Sequence, residues 1–433
     1  MRNRVFAIIL LTIFSRLFFA VCYPGLNYYN GISQGYVNLN DNVIAGRGLV
    51  VLVDLHPSAS AMPQWSYAPF IDRPLGYFFL SILPYRFFGP MGIQILQVLL
   101  SVGSVLLLFR IARFLFSERI AWISATLYAV WPLSARFEVT ILPDAVTSFF
   151  LLLGIWALIR SFRGGKPVMF QLLSGIAFGC GTLMRADVML LPVFILPVLY
   201  LVHEVRATLR CVGLVIVGMA IVILPHAIRN YAVTNGEIVP IGLGNGISMW
   251  EGISQFGDTL GTVHADEDLV KLEGYQSWCY PDGVQRDKAR FAQAIGIVKD
   301  HPLWFLGVMI RRIPLLLKPD GIITSRFMPT PKQFFADHPG TTYLDLFQTF
   351  PFWSIVQLLL ITAQFALIAL AVLGIFRYRQ TAFVWIAVAG ILYYFMVHIT
   401  TNTEPRYFYP VIPFLILLAS AGGDSLRMTH QRT

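Results

Sequence analysis

The sequence predicts an all-α, polytopic membrane protein with about ten transmembrane helices. Of its 433 residues, 56% are hydrophobic and only 13% are charged, which is too apolar for a soluble domain of this length. Apolar runs near the roughly 18 residues needed to cross a bilayer also recur along the chain. They are read at 4–22, 92–110, 120–136, 145–161, 168–185, 188–203, 211–228, 350–375, 382–399 and 408–423.

The basic residues of the short loops predict which way the spans run. Arginine and lysine accumulate in cytoplasmic loops, and with ten spans these residues fall on one side: Arg2, Arg4, Arg110, Arg113, Arg119, Arg160, Arg163, Lys166, Arg206, Arg210, Arg377 and Arg379. Both termini are therefore expected on the cytoplasmic side of the membrane. The first run is read as a retained span, since no small-x-small cleavage site precedes Cys22. The net charge of +9 follows from this sidedness and does not indicate a nucleic-acid partner.

Two long polar stretches both fall on the outer side of this topology. They divide the chain into an N-terminal transmembrane module, 1–228, with its first outer loop at 23–90, an outer region, 229–349, and C-terminal transmembrane helices, 350–433. The first loop and the 229–349 segment are expected to build a small extracytoplasmic cap on the helical bundle, with a cleft between cap and bundle.

Two segments of the cap read as helices lying at the membrane surface. Residues 74–88 are apolar and aromatic, but they are short and bounded by prolines. Residues 286–318 read as helical, with Arg311 and Arg312 interrupting the apolar run, so this piece is also expected at the membrane surface.

Five arginines do not follow the tendency of basic residues to lie in cytoplasmic loops, because they fall at the outer ends of spans or surface helices. A guanidinium there is suited to binding a lipid phosphate, since its planar fork donates two charge-assisted hydrogen bonds and stays protonated. A single arginine could equally reach the headgroups or pair with a nearby acid. Five around one predicted cleft favour a phosphate site: Arg73, Arg136, Arg185, Arg229 and Arg406.

Acidic residues at the same level are the candidates for proton transfer: Asp41, Glu138, Asp144, Asp187 and Glu404. Asp144 stands where the apolar run of the fourth span begins. A carboxylate in that position is costly unless it is paired or faces a wet cavity, although capping the helix would also explain it. Glu404 with Arg406, and Asp187 with Arg185, are spaced to pair locally.

Several other classes of site have no support in the sequence. The eight histidines form no metal-ligand pattern, and the four cysteines show neither a disulfide framework nor metal spacing. His398, six residues before Glu404, could join a metal site with a loop acid, but a lone histidine is more often structural. Fingerprints of ATP-binding loops, Rossmann folds and nucleophile elbows are missing from the sequence.

Four segments, in order, resemble blocks of the GT-C class of integral-membrane glycosyltransferases. That class includes the family 39 and aminoarabinose-transferase-like enzymes, which are related to protein O-mannosyltransferases. The segments are YVNLNDNVIAGRGL (36–49) with DRPLGYFFLSILPYRFFG (72–89), LMRADVMLLP (183–192), RNYAVTNGEIVPIGLGNGISMWEG (229–252) and EPRYFYPVIPFL (404–415). The resemblance covers nearly the whole chain.

The resemblance implies a glycosyltransferase of the bacterial cytoplasmic membrane. Such an enzyme moves a sugar, with inversion at the anomeric carbon, from a polyprenyl-phosphate carrier to an envelope acceptor at the outer face of that membrane. It implies that Arg73 helps to bind the carrier phosphate, and we expect Arg185, Arg229 and Arg406 to assist. Contacts with substrate are expected from residues inside the matching segments: Tyr36, Trp250 and Glu251. Relatives differ in their use of a divalent metal, and the sequence shows no ligand set for one.

One departure from the family concerns its catalytic base. Relatives carry an aspartate about four residues before the tyrosine that corresponds to Tyr36, and this chain has Ile32 there. Three explanations stay open: another acid acts as base, with Asp144 ahead of Glu138; Asp41 serves after a shift in alignment; or the reaction has been lost.

Two other functions remain as alternatives at this stage. A transporter or flippase for lipid-linked saccharides would carry charged residues near span midpoints and helices broken by Gly or Pro. The polar residues gather at span ends instead. A non-catalytic envelope-assembly protein stays possible because of the missing acid before Tyr36.

Overall fold

The computed structural model describes residues 2–22, 30–54, 65–162, 165–201, 204–257, 260–264, 266–274, 279–319 and 328–430. Parts of both predicted outer loops, including 55–64, lie outside these ranges. In chain order the elements are α1 (Arg2–Cys22), α2 (Asn30–Ile44), β1 (Val50–Asp54), β2 (Trp65–Pro69), α3 (Gly76–Leu115), α4 (Glu118–Val130), α5 (Pro132–Phe137), α6 (Pro143–Ser161), α7 (Pro167–Met184), α8 (Leu191–Ile195), α9 (Val205–Val233), α10 (Asn245–Ile253), α11 (Asp266–Glu273), α12 (Asp282–Asp300), α13 (Pro302–Leu317), α14 (Pro331–Asp337), α15 (Tyr343–Thr349), α16 (Pro351–Tyr378), α17 (Ala382–Thr400) and α18 (Ile412–His430).

The predicted class, an all-α polytopic membrane protein, is confirmed. Among the described residues, eight helices are long and apolar enough to cross a bilayer. The two other predicted spans coincide with shorter helices. For 120–136 the structure has α4, which is 13 residues long, followed by α5. For 188–203 it has the apolar helical stretch Ala186–Tyr200.

The surface helix predicted at 74–88 and the span predicted at 92–110 meet at a kink inside α3. Gly89 has a φ of 59° and a ψ of −149°, a conformation that L side chains rarely adopt. Pro90 follows it and has no N–H to donate into the preceding turn. The chain therefore changes direction here, and the two pieces remain continuous in sequence.

The helical reading of 286–318 agrees with the structure, which divides the segment between α12 and α13. His301 adopts φ −129° and ψ 54°, outside the helical region, and Pro302 then begins α13. The ring of a proline disfavours helical geometry at the preceding residue, but suits the first helical position. Arg312 is fully buried and donates to the carbonyl oxygen of Ile399 at 2.7 Å, so it joins α13 to α17.

Close helix pairs form the bundle and depend on glycine. A Cβ on Gly175 of α7 would overlap the Val215 carbonyl of α9, and one on Gly422 of α18 would overlap the Leu370 carbonyl of α16. Small residues let helix backbones approach in apolar surroundings, where dispersion and packing drive association. The largest buried apolar cluster extends through these helices.

A cap of short elements lies at one end of the bundle. The strands β1 and β2 pair antiparallel, with Val50 opposite Pro69. Arg229 of α9 anchors this hairpin by donating to the carbonyl oxygens of Leu49 at 3.1 Å and Phe70 at 2.5 Å. The helices α10 and α12 pack against each other beside it. We call this the loop end of the bundle.

Basic side chains mark the opposite end of the bundle. Arg110, Arg113 and Arg160 line one groove there with Val5 of α1, and Arg4 and Arg119 line a neighbouring groove. Since Asp144 and Arg160 lie near opposite ends of α6, the two ends of the bundle are about 24 Å apart at 1.5 Å per residue.

Candidate functional site

Arg185, which follows the last residue of α7, pairs with two buried carboxylates. Its guanidinium contacts Asp144 in the first turn of α6, and its Nη2 lies 2.9 Å from Oδ2 of Asp187. The three side chains are 14%, 2% and 9% exposed, respectively. Asp144 does not cap its helix, because the N-cap position belongs to Leu142. The burial cost of Asp144 is therefore offset by an ion pair rather than by helix capping.

Tyr407 joins this ion pair to a second one. The guanidinium carbons of Arg185 and Arg406 lie 4.8 Å and 5.0 Å from the centroid of its ring. Arg406 in turn pairs with Glu404, with Nε 2.8 Å from Oε2. His398 stacks on the same ring at 4.7 Å, and its Nε2 lies 3.2 Å from Oδ2 of Asp187.

We call this group the ionic cluster: Asp144, Arg185, Asp187, His398, Glu404, Arg406 and Tyr407. Both local pairs expected from the sequence, Asp187 with Arg185 and Glu404 with Arg406, are present in it. Its two arginines face three carboxylates, so the cluster carries no excess of positive charge while His398 is neutral. A phosphate would therefore bind either guanidinium in competition with the carboxylates that already hold it.

A cavity of about 220 Å³ lies nearby, between the loop before α3 and the helices α10 and α12. We call it the Arg73 cavity. Its lining residues are Asp72, Arg73, Leu243, Gly244, Ile247, Ser248, Gly283, Asp287 and Arg290. Nη1 of Arg73 lies 3.5 Å from Oδ2 of Asp72, and both side chains are about 30% exposed. This is longer than the usual 2.7–2.9 Å of a charge-assisted hydrogen bond.

The far wall of the Arg73 cavity carries charges that are already satisfied. Oδ1 of Asp287 accepts hydrogen bonds from the backbone N–H groups of Gly244, Gly246 and Ile247, at 3.0–3.2 Å. It thereby ties α12 to the start of α10, whose amides would otherwise lack partners. Nε of Arg290 donates to Glu273 at 3.1 Å. Of the two arginines in this cavity, Arg73 has the weaker ion pair.

Tyr36 lies between the Arg73 cavity and the ionic cluster. It is 1% exposed, and its hydroxyl donates to the carbonyl oxygen of Pro74 at 3.1 Å. Burial raises the pKa of Tyr36 well above its usual value, while the charge of Arg73 opposes that rise. Charges of Asp144 and Arg185 also act on this pKa, so both sites are close to the hydroxyl. Tyr36 stays neutral and packs behind the cavity, against the rings of Phe70 and Tyr77.

Glu138 lies inside the bundle, in a closed network that sequence reasoning did not foresee. Its Oε2 is 2.6 Å from Nη2 of Arg16, and its Oε1 accepts a hydrogen bond from the Tyr128 hydroxyl at 2.7 Å. Hydroxyl groups of Ser101 and Tyr409 also donate to this carboxylate. Glu138 is 1% exposed. Its carboxylate already accepts hydrogen bonds on both oxygens.

Asp41 and Arg229 are also placed outside the ionic cluster. Asp41 is exposed on α2, and its Oδ1 accepts a hydrogen bond from the hydroxyl of Tyr85 at 2.7 Å. Arg229 uses its guanidinium to hold the β-hairpin carbonyls. Catalytic roles for Asp41, Asp144 and Glu138, and a phosphate-binding role for Arg229, stay predictions.

Trp250 and Glu251 lie on α10, and they face different surroundings. Trp250 is 2% exposed, and its indole N–H donates to Oε1 of Gln293 in α12 at 3.0 Å. Glu251 receives a hydrogen bond from Nδ2 of Asn402 at 3.3 Å. Because Asn402 is two residues before Glu404, Glu251 borders the ionic cluster, whereas Trp250 packs inside the cap.

Several residues of these sites were not selected from the sequence: Asp72, Asp287, Arg290 and Tyr407. Asp72 and Tyr407 had a signal, because they adjoin Arg73 and Arg406 in the matching segments. Asp287 and Arg290 had none, since their positions depend on how α12 packs. Within the ranges that the structure describes, no three His, Cys, Asp or Glu side chains converge as a metal site.

Comparison with known proteins agrees with the resemblance read from the motifs. The model of the dolichyl-phosphate-mannose-protein mannosyltransferase family matches residues 72–228. The Bacillus subtilis protein YkcB, provisionally named a mannosyltransferase, is 30% identical over 129 residues, which are 29% of this chain and 18% of that protein.

Solved structures of archaeal oligosaccharyltransferases share the fold. The Archaeoglobus fulgidus enzyme crystallised with zinc and sulfate has a TM-score of 0.54 at 13% identity, over 99% of this chain and 50% of that one. The enzyme AglB of the same organism, in complex with an inhibitory peptide and a dolichol phosphate, has a TM-score of 0.52 at 11% identity, over 99% and 51%. This chain is thus similar to GT-C class membrane glycosyltransferases, and it spans half the length of these structural relatives.

Proposed function

We propose that this chain is a glycosyltransferase that moves a sugar from a polyprenyl-phosphate carrier to an envelope lipid, polysaccharide or protein at the outer face of the cytoplasmic membrane. The family match over residues 72–228 and the shared fold support a transferase of this kind. The observation that carries the proposal is the Arg73 cavity, which combines a cation and a carboxylate at one end of an apolar helical bundle.

Arg73 is the leading candidate to bind the carrier phosphate. Among the described residues its ion pair is with Asp72, and that pair is long at 3.5 Å, so little is lost when a phosphate takes the place of the carboxylate. Two unit charges 4 Å apart attract by about 4 kcal/mol near a protein surface, against about 1 kcal/mol in bulk water. A guanidinium at this place would stabilise the leaving phosphate as its charge develops.

Arg185 and Arg406 would support the donor from the ionic cluster. Each is held by carboxylates, Arg185 by Asp144 and Asp187, and Arg406 by Glu404. They would contact a phosphate by exchanging one of these partners, which is costly for buried pairs. We therefore assign them to shaping the wall beside the carrier, with Asp144 keeping Arg185 in position. Arg229 would act indirectly, by anchoring the hairpin.

The proposed reaction is an attack of an acceptor hydroxyl on the anomeric carbon of the sugar. The bond from that carbon to the phosphate oxygen breaks, and its electron pair leaves with the polyprenyl phosphate. A carboxylate within hydrogen-bond reach accepts the hydroxyl proton. The inversion that the resemblance implies fits this single displacement.

The test is donor binding and sugar transfer by the purified chain in lipid vesicles, using polyprenyl-phosphate-linked sugars. Charge-assisted hydrogen bonds contribute about 1.5–3 kcal/mol, so Arg73→Gln should weaken donor binding by roughly 10- to 150-fold. Arg379→Gln is the matched control, because this exposed arginine ends α16 beside the contact between Phe116 and Tyr378, near the basic end of the bundle. Equal donor affinity in both variants, together with a wild type that transfers no sugar, would refute the proposal.

A further inference from the structure

One carboxylate oxygen beside the Arg73 cavity has no hydrogen-bond partner. Oδ1 of Asp72 is buried, and no donor reaches it among the residues that the structure describes. Nearly all buried polar atoms in proteins are paired, and leaving one unpaired costs about 1–3 kcal/mol. Asp72 itself lines the cavity and its side chain is 30% exposed, so a rotation of the carboxylate would present this unpaired acceptor to a ligand that donates a hydrogen bond.

We propose that Asp72 is the general base that takes the proton from the acceptor hydroxyl. The inference rests on the proposed glycosyltransferase function, and it assigns a residue that the motifs did not select. Asp72 replaces the acid that relatives carry on the segment corresponding to α2. In this chain Ile32 stands there, partly buried among apolar side chains, and it cannot accept a proton.

The other charged groups of the Arg73 cavity are already engaged, which leaves Asp72 to meet the hydroxyl. Asp287 accepts three backbone hydrogen bonds and Arg290 pairs with Glu273. Among the described residues, the side chain of Asp72 pairs with Arg73 through its other oxygen, Oδ2. One carboxylate can thus face the phosphate-binding arginine and the acceptor at the same time.

The backbone around Asp72 is held firmly, as a base needs to be. The N–H of Leu243 donates to the carbonyl oxygen of Ile71 at 3.0 Å. Gly242 packs so closely on the next peptide that an added Cβ would lie 3.1 Å from the carbonyl oxygen of Asp72. Ile71 is 1% exposed and packs with Val239 and Val284. Such support reduces the reorganisation needed to reach the reactive geometry.

The candidate bases selected from the sequence are less free to act. Asp144 is bound by Arg185, and Glu138 accepts hydrogen bonds from both sides in the closed network. Asp41 is exposed, and within the described part of the chain its hydrogen bond is to Tyr85, away from Arg73 and the ionic cluster. Among the described carboxylates Oδ1 of Asp187 is also unpaired, but that side chain is already held by Arg185 and His398. Asp72 combines an unpaired oxygen with a cavity and an adjacent cation.

The step balances as a single displacement. The acceptor oxygen forms its bond to the anomeric carbon while Oδ1 of Asp72 takes the hydroxyl proton. The bond between that carbon and the phosphate oxygen breaks, and Arg73 offsets the charge that the phosphate gains. Asp72 then releases the proton to water. A volume of 220 Å³ equals about seven waters of the liquid, enough for a small polar group such as one sugar ring.

The experiment measures transfer, donor affinity and melting temperature for the full chain in lipid vesicles, with polyprenyl-phosphate-linked sugar as donor. General-base catalysis contributes about 10²–10⁴-fold, so Asp72→Asn should lower kcat by that factor and leave donor affinity unchanged. Glu237→Gln is the matched control, a partly exposed carboxylate in the loop after α9 that pairs with Lys288, and it should keep wild-type kcat.

Rescue by added formate is a second measurement, and it separates a catalytic carboxylate from one with a structural role. In Asp72→Ala the space left by the side chain should admit formate, and transfer should rise with formate concentration, whereas Asp144→Ala should not respond. A kcat of Asp72→Asn within about tenfold of wild type, a loss removed by saturating donor, or no rescue by formate would each overturn the assignment. These results presuppose a wild type that transfers sugar. A wild type without transfer would instead refute the proposed function.

Discussion

Removing the Glu138 carboxylate should destabilise the bundle rather than stop chemistry in folded molecules. The side chains of Glu138 and Arg16 are 2% and 0% exposed, so water screens neither charge. The change Glu138→Ala leaves Arg16 buried without its counter-ion and takes an acceptor from Tyr128. Breaking a buried ion pair by removing one partner costs about 3–5 kcal/mol.

The change of its partner, Arg16→Met, should lower the free energy of unfolding by a similar amount, because it leaves the buried carboxylate of Glu138 without a counter-ion. If the two side chains act as one unit, the double variant should lose less stability than the sum of the single losses. Residues in one ionic network show coupling energies of about 0.5–3 kcal/mol. We expect a value near the top of that range, because the pair is fully buried at 2.6 Å.

The assay is thermal unfolding of the four proteins in one detergent, with sugar transfer measured well below each melting temperature. Glu138→Ala should melt earlier, while its folded fraction keeps transferring sugar. A variant that melts like wild type and transfers nothing would refute this reasoning, since Glu138 would then belong to the chemistry.

Two further changes test packing. Asp287→Ala removes the acceptor of three amides at the start of α10, and it should lower the free energy of unfolding by about 1–2 kcal/mol in chemical denaturation, as lost helix caps do. Gly422→Ala places a methyl group onto the Leu370 carbonyl and should cost about 1–3 kcal/mol in the same measurement. The neighbouring change Gly423→Ala meets no atom within 4 Å and should be neutral, so equal losses at both positions would contradict the packing described for α16 and α18.

Local features carried most of the successful predictions. The membrane class follows from composition, and the break in α3 from Gly89 beside Pro90. The pairs Asp187 with Arg185 and Glu404 with Arg406 follow from spacings of two residues. The kink and the two ion pairs depend on residues that are neighbours along the chain, and the membrane class depends on how apolar segments partition between water and lipid. These predictions therefore need no knowledge of the folded bundle.

Sequence alone could not assign partners across the fold. Glu138 and Asp144 looked alike as acids near span ends, yet one is paired with Arg16, 122 residues away, and the other with Arg185, 41 residues away. A buried charge is stabilised by whichever opposite charge the helix packing brings within about 3 Å, and hydropathy does not encode that choice.

Hydrophobic content and the order of the motifs thus determined the class of this protein. Composition is enough for the membrane class because the free energy of transferring a segment from water to lipid is a sum over its residues. The tertiary structure decided which acids are engaged and which oxygen is left vacant. Asp72 was only a neighbour of Arg73 in the sequence, and its unpaired Oδ1 arises where the loop before α3 meets α10 and α12. Hydrogen bonds are short-ranged and directional, so this vacancy is created by the packing of segments more than 160 residues apart.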